Sequence, residues 1–155
     1  MKKDIFIDNN IASRFGNPMD KEYKKLVEWL VKKHENEEDN AYLAVSPKLI
    51  AEYNRSNIHP KSQTAIPILV TKLQRDGRLN FISNQDIKTF KAAFFTKKVV
   101  KKLLSNEEDR EHIPVVLLSD RKIALTIDEN FSKDLMNFAG FEAIVSSRPE
   151  EINYD

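Results

Sequence analysis

Two aspartates stand at the ends of apolar runs that have the length of buried strands. Asp8 directly follows residues 5–7, and Asp128 directly follows residues 123–127. Glu52 lies about a turn and a half into the helix expected behind another apolar run. In open parallel sheets ligands bind beyond the carboxyl ends of the strands, where these three carboxylates would meet. Carboxylates brought together repel one another unless a cation lies between them, and hard oxygen ligands without Cys or His favour Mg²⁺ or Mn²⁺.

Each of these acids also has an ordinary structural interpretation. An aspartate after a strand is a common turn former or helix N-cap, and Asp128 could simply cap the helix that begins behind it. Glu52 could be a solvated residue of its helix. Residue type and spacing leave both interpretations open.

Composition excludes most other catalytic chemistry. The chain has 155 residues, a formal charge of +1 from 25 basic and 24 acidic residues, and no cysteine. Disulfides, thiolate zinc sites and cysteine nucleophiles are therefore excluded, and the near-neutral charge argues against a binder that relies on bulk positive charge. The glycines, Gly16, Gly77 and Gly140, are too far apart to form a glycine-rich phosphate loop or a Gly-x-Ser-x-Gly turn.

The pattern of elements predicts a single domain, residues 1–155, built as a three-layer α/β/α sandwich around a mainly parallel sheet. The predicted strands are apolar without alternation and are separated by amphipathic helices, which is typical of a parallel sheet covered on both faces. They occupy residues 5–7, 41–45, 79–82, 123–127 and 141–145. Cap-plus-proline signatures at Asn17-Pro18 and Ser46-Pro47 predict two helix starts, and Gly77 and Gly140 two helix ends.

Residues 109–119 fit two structures. They could form a helix, in which Pro114 is acceptable only within the first turn. Alternatively, residues 115–118 could form a strand that turns at residues 120–122 into the next strand. The pattern does not decide between the two.

Three segments of the sequence have the form of short motifs. Residues 5–11 (IFIDNNI) are a strand that ends in Asp-x-Asn, and residues 45–52 (VSPKLIAE) place a Ser at the start of a helix that carries a Glu. Residues 124–131 (ALTIDENF) contain Thr-x-Asp-x-x-Phe. Together the three segments resemble the blocks of PIN domains, occur in the order of that family and span most of the chain.

The resemblance implies a ribonuclease that uses Mg²⁺ or Mn²⁺ to hydrolyse RNA phosphodiester bonds with metal-activated water. Asp8, Glu52 and Asp128 would be catalytic, metal-binding acids, and Asn10 and Thr126 would orient them or the attacking water. Many such proteins are toxins of VapC-type toxin–antitoxin pairs, so the resemblance also implies an antitoxin partner and a homodimer. A PIN-like module without activity that binds RNA or a protein is the alternative.

The family resemblance implies a fourth catalytic, metal-binding acid before the last block. Asp109 fits best, since it precedes Asp128 by 19 positions, close to the customary gap. Glu108 is a near alternative, and Asp120 fits only if residues 115–118 form a strand. A phosphate-handling receiver domain ranks third, because Asn9-Asn10 stand where that class has acids.

Local positive charge is expected to hold RNA phosphates. A short amphipathic helix presents a basic face that could contact RNA phosphates. The same face could instead be an ordinary solvated surface. Two arginines follow predicted metal-binding acids at short distances. The candidates for phosphate contact are Arg14, Arg55, Lys97, Lys98, Lys101 and Lys102. We expect His59 and His112 to be structural or surface residues without a catalytic role.

The sequence predicts a cytoplasmic protein that does not enter a membrane. The apolar run of residues 5–7 is too short for a signal-peptide core, and no run approaches the roughly 18 apolar residues of a membrane span.

Overall fold

The centre of the protein is a five-stranded sheet with the strand order β3-β2-β1-β4-β5, in which every neighbouring pair is parallel. The computed structural model describes residues 1–16, 19–58 and 62–155. The strands are β1 (Lys3–Ile7), β2 (Ala41–Val45), β3 (Leu79–Phe81), β4 (Ile123–Leu125) and β5 (Ile144–Ser146).

Helices cover both faces of the sheet, and the predicted three-layer α/β/α architecture is confirmed. The helix α2 contacts α4 and β2, whereas α8 contacts α5, α9, β1 and β2. Their bounds are α1 (Asn9–Ala12), α2 (Lys21–Val31), α3 (Pro47–Ser56), α4 (Ile66–Arg75), α5 (Asn84–Phe94), α6 (Lys97–Lys102), α7 (Glu107–Arg110), α8 (Ile113–Leu118) and α9 (Glu129–Met136). Short 3₁₀ turns occupy Glu37–Asp39 and Pro149–Glu151.

The strand order places a crevice at the end of β1. The chain proceeds from β1 to β2 and β3 on one side, and later returns to add β4 and β5 on the other side. Such a reversal leaves room between the loops beyond the carboxyl ends of the two central strands. The Asp8 N–H donates to Leu125 O at 2.9 Å, so β1 and β4 remain paired up to the point where their loops diverge.

Buried polar side chains secure the opposite end of the sheet. Asp4 is fully buried in β1, and its carboxylate accepts hydrogen bonds from Asn80 Nδ2 (2.7 Å), Asp120 N (2.8 Å) and Arg121 N (2.9 Å). Arg78, also buried, donates to carbonyl oxygens at the end of α2, including Leu30 O at 3.0 Å. These contacts satisfy charges that would otherwise be costly to bury.

Several predicted bounds differ from the structure. The strand predicted at residues 123–127 ends at Leu125, and the hydroxyl of the next residue, Thr126, donates to Asp8. The strand predicted at residues 141–145 lies at Ile144–Ser146 instead. Residues 113–118 form α8 with Pro114 in its first turn, so the strand-and-turn alternative is wrong.

The predicted helix start at Asn17-Pro18 lies outside the described residues, and α2 is capped by Asp20. His59 also lies outside them. Within the described ranges, no helix is long and apolar enough to cross a membrane.

Candidate active site at the carboxyl ends of the strands

Asp8 is both a helix cap and a member of a polar cluster. Its Oδ1 accepts from Asn9 N at 2.8 Å, which caps α1. Its Oδ2 accepts from Thr126 Oγ1 at 2.7 Å and from Asn10 Nδ2 at 3.3 Å. Asp8 can therefore cap α1 through Oδ1 and belong to the polar cluster through Oδ2 at the same time.

Thr126 connects the end of β4 to the same cluster. The residue is buried, and its Oγ1 accepts from Asp128 N at 3.1 Å while it donates to Asp8. Asp128 Oδ1 in turn accepts from Phe131 N at 3.1 Å, so this aspartate caps α9. Asn10 also accepts from Ile127 N at 3.4 Å, which joins the loop after β1 to the loop after β4.

Glu52 reaches the cluster from α3. Ser46 caps this helix by accepting from Leu49 N at 3.1 Å, and the buried Tyr53 hydroxyl donates to Ile7 O at the end of β1. The Glu52 side chain is held by His112, whose Nε2 lies 2.9 Å from Oε2 and 3.1 Å from Oε1. Glu52 is therefore not a freely solvated helix residue.

Asp109 approaches the other acids from α7. Asn106 caps this short helix by accepting from Asp109 N at 2.9 Å. Partial burial raises the pKa of the Asp109 carboxyl, and the negative charges of Asp128, Asp8 and Glu52 raise it further. This mutual effect places Asp109 in the electrostatic neighbourhood of the three acids.

The two alternatives for the fourth acid lie in different surroundings. Glu108 is exposed on α7. Asp120 precedes β4, at the amino ends of the strands, and accepts from Lys2 N at 2.7 Å. The choice of Asp120 as the fourth acid required residues 115–118 to form a strand, and the structure has α8 there instead.

The pKa values of Asp8 and Glu52 are shifted in opposite directions. Burial is the largest effect on Asp8 and raises the pKa of its carboxyl, although the Thr126 hydrogen bond and the charge of His112 act in the opposite direction. Burial also acts to raise the pKa of Glu52, but the hydrogen bond from His112 and nearby positive charges outweigh it, so the pKa of Glu52 is lowered. An ionised Glu52 thus stands beside two acids that resist ionisation.

The chemistry of these donors fits a hard divalent cation, because the acids offer carboxylate oxygens without thiolates. The arrangement itself is looser than a formed metal site. In the described parts of the chain, no three His, Asp or Glu side chains are grouped closely enough to hold one ion. Binding would therefore require the carboxylates to come closer to one another than they stand in this structure.

The basic candidates are spread around this edge and along α6. Arg14 is exposed and donates to the Tyr23 hydroxyl at 3.4 Å. Arg55 is exposed on α3, and its charge contributes to lowering the pKa of Glu52. The four candidate lysines are exposed on α6, namely Lys97, Lys98, Lys101 and Lys102.

A cleft of about 410 Å³ lies between α6 and α9. Lys98, Lys102 and Lys133 line it together with apolar side chains such as Val99 and Leu103. Asp134 is the acid that lines this cleft, and none of the four candidate acids is among its lining residues.

Sequence reasoning missed the role of His112. The residue is 2% exposed, so the expectation of a surface position is wrong, while a structural position fits. Its ring packs against Phe6 and Phe131, with ring centroids 5.7 and 6.5 Å away. The available signal was its place beside Ile113 and Val116 at helical spacing, which predicts that all three face the core.

No family model matches the sequence, and no curated protein is found to be similar to it. Among solved structures, the fold is similar to a chain in the crystal structure of VapBC2 from Rickettsia felis bound to a DNA fragment from their promoter. The TM-score is 0.56 at 17% sequence identity, and the similarity covers 94% of this chain and 98% of that chain. The chain therefore has a PIN-like fold over most of its length.

Proposed function

We propose that the protein is a divalent-metal-dependent endoribonuclease whose acids are Asp8, Glu52, Asp109 and Asp128. The observation that carries this proposal is the approach of carboxylates from four separate segments to the end of β1 and β4. The negative charges of the other three acids contribute to the raised pKa of Asp109. Repulsion between neighbouring carboxylates is unfavourable for folding unless a cation binds between them.

The protein residues supply the frame in which such a cation would be held. Thr126 and Asn10 fix the Oδ2 atom of Asp8, and the N-terminus of α9 fixes Asp128. When bound, Mg²⁺ or Mn²⁺ would neutralise the phosphodiester and lower the pKa of a water molecule. Exposed positive charge on α3 and α6 would hold the RNA backbone nearby.

The proposal extends to partners. The similar solved structure contains VapBC2 with DNA, which supports an antitoxin as partner of this chain. A toxin of such a pair would form a homodimer and would act on RNA in the cytoplasm. Co-expression with the protein encoded in the adjacent reading frame, followed by co-purification, would test this part of the proposal.

The deciding experiment is an RNA-cleavage assay with Mn²⁺ and with excess EDTA. We expect the wild-type protein to cleave only with Mn²⁺, and Asp8→Asn to lose at least about 100-fold in rate, in the range that follows removal of a key electrostatic group. Asn can still cap α1, so the variant should fold. Asp120→Asn, at the opposite end of the sheet, is the matched control and should keep full activity.

A PIN-like binding module without activity is the second candidate. It is favoured by the absence of a closely grouped set of three metal-binding side chains in the described residues. If Mn²⁺ neither raises Tm nor supports cleavage while RNA still binds, this second function replaces the first.

A further inference from the structure

We infer that His112 is a positioning residue, which holds the Glu52 carboxylate in the orientation that binds the divalent cation. The inference rests on the proposed function and adds a residue that the motifs do not contain. It concerns how tightly the cation binds, through a side chain that does not itself contact the ion.

The contact between His112 and Glu52 is directional. One nitrogen, Nε2, faces both carboxylate oxygens, at 2.9 and 3.1 Å. An ionised carboxylate can only accept hydrogen bonds, so Nε2 must carry the proton and donate it. Each oxygen keeps a further lone pair, because a carboxylate offers about four acceptor positions. Glu52 can therefore accept from His112 and bind a cation at the same time.

His112 is itself held in place by the core. The side chain is 3% exposed, and its ring packs against Phe6 of β1 and Phe131 of α9, which also pack against each other. Its backbone N–H donates to Asp109 O at 3.0 Å, at the junction of α7 and α8. The same junction thus carries the fourth acid and the donor that fixes Glu52.

The alternative, that His112 only fills space, does not account for its polar atoms. An apolar side chain would pack beside the two phenylalanine rings without the cost of burying an imidazole. Nδ1 has no hydrogen-bond partner among the described residues, so Nε2 makes the only polar side-chain contact found for this ring. Residues that hydrogen-bond to metal-binding carboxylates commonly contribute 10- to 100-fold, roughly, to metal affinity.

The test is Mn²⁺ binding by calorimetry, which does not depend on RNA cleavage. We expect His112→Leu to weaken Mn²⁺ binding about 10-fold or more. His112→Gln should remain within about threefold of wild type, because its amide can donate from a position close to that of Nε2. His112→Asn should behave like His112→Leu, since its shorter side chain does not reach Glu52. If His112→Leu does not fold, the Mn²⁺ affinities of His112→Gln and His112→Asn still test the inference.

Two controls separate positioning from structural support. Leu26→Ala removes a buried side chain of α2, a helix that packs on α4 and β2 and carries none of the candidate acids, so it should lower Tm and leave Mn²⁺ affinity unchanged. In a Glu52→Gln background, His112→Leu should have no further effect on Mn²⁺ binding, because His112 acts through Glu52.

The outcomes distinguish this inference from the proposed function. Wild-type protein that does not bind Mn²⁺ would remove the proposed function and the inference with it. Wild-type binding that His112→Leu leaves unchanged or strengthens would overturn the inference alone. A loss of Mn²⁺ affinity that follows the loss of Tm equally in His112→Leu, His112→Gln and Leu26→Ala would also overturn it.

Discussion

Thr126 Oγ1 donates a hydrogen bond to Asp8 Oδ2 at 2.7 Å, across 118 positions of sequence. The contact exists because β1 and β4 are neighbours in the sheet, with Phe6 opposite Ala124 and Ile7 opposite Leu125. Parallel pairing brings the residues that follow both strands to the same edge. One hydroxyl thereby joins the first and the last motif of the chain.

Replacement of Thr126 by valine tests this connection. Valine keeps the shape but removes the hydroxyl that donates to Asp8 Oδ2 and accepts from Asp128 N, so that Asp8 Oδ2 keeps Asn10 Nδ2 as a donor. Hydrogen bonds to charged groups contribute about 1.5–3 kcal/mol. We expect Thr126→Val to lower the free energy of unfolding by about 2 kcal/mol in urea titrations. Since the Thr126 hydrogen bond lowers the pKa of Asp8, its loss should raise that pKa further and shift the pH profile of cleavage upward. Thr126→Ser should retain most of both properties.

The neighbours Asp109 and Glu108 allow a test of the fourth acid. The charges of Asp128 and Asp8 contribute to the raised pKa of Asp109, whereas Glu108 is exposed. We expect Asp109→Asn to reduce the rate of RNA cleavage about 100-fold. Glu108→Gln should leave the rate within about twofold of wild type. The reverse pattern would assign the fourth position to Glu108.

The raised pKa of Asp109 predicts a gain in stability when its charge is removed. Its pKa in the folded protein lies above the ordinary value of 3.8, so its contribution to stability is complete below that value and is lost as the pH rises through the folded pKa. At pH 7 the ionised carboxylate therefore destabilises the metal-free fold.

We accordingly expect Asp109→Asn to raise Tm at pH 7 in EDTA by roughly 2 °C. The shift is small because water screens the charge of a carboxylate that is only partly buried. Near pH 3 the wild type and the variant should have similar Tm values. With Mn²⁺ present the order should reverse, because only the wild type gains the full binding energy. An unchanged Tm at pH 7 would show that Asp109 is not repelled by its neighbours.

The fold could be predicted from the sequence largely because the core strands carry strong local patterns. Residues 41–45 are an uninterrupted apolar run, and the structure places β2 at Ala41–Val45. Ser46 and Pro47 have one local role each, as N-cap and first helical residue, so the start of α3 was also correct. Asp8 directly follows β1, as predicted, whereas Asp128 lies three positions beyond the end of β4 and caps α9.

Contacts between distant segments set the features that were missed. His112 meets Glu52 over 60 positions, and no local pattern indicates which side chain a buried histidine will contact. The last strand is short and half exposed, with Ile144 at the edge of the sheet, so the apolar run from Phe141 gave no sharp boundary. Pro114 was ambiguous because it fits the first turn of a helix as well as a loop.

The basic face of α6 can be tested through the salt dependence of RNA binding. Each phosphate contact to single-stranded RNA contributes about 0.7 to the slope of log K against log salt concentration. If Lys98 and Lys102 both contact phosphates, their replacement by glutamine should reduce the slope by about 1.4. The control replaces the exposed Lys32 and Lys33, which follow α2, and should leave the slope unchanged. Equal slopes for all three proteins would identify the α6 lysines as an ordinary solvated face.

Asp4 provides a test that concerns the fold without the candidate site. Its buried carboxylate accepts three hydrogen bonds, from Asn80 Nδ2, Asp120 N and Arg121 N, at the amino ends of the strands. Asp4→Ala would leave these donors unpaired in the interior, and we expect a loss of about 3–5 kcal/mol in the free energy of unfolding. Asp120→Ala removes an exposed carboxylate from the same turn and should cost less than about 1 kcal/mol.

At temperatures where Asp4→Ala remains folded, its Mn²⁺ affinity should equal that of wild type, since the candidate acids lie at the other end of the sheet. A parallel loss of Mn²⁺ affinity would mean that the two ends of β1 are coupled through the strand.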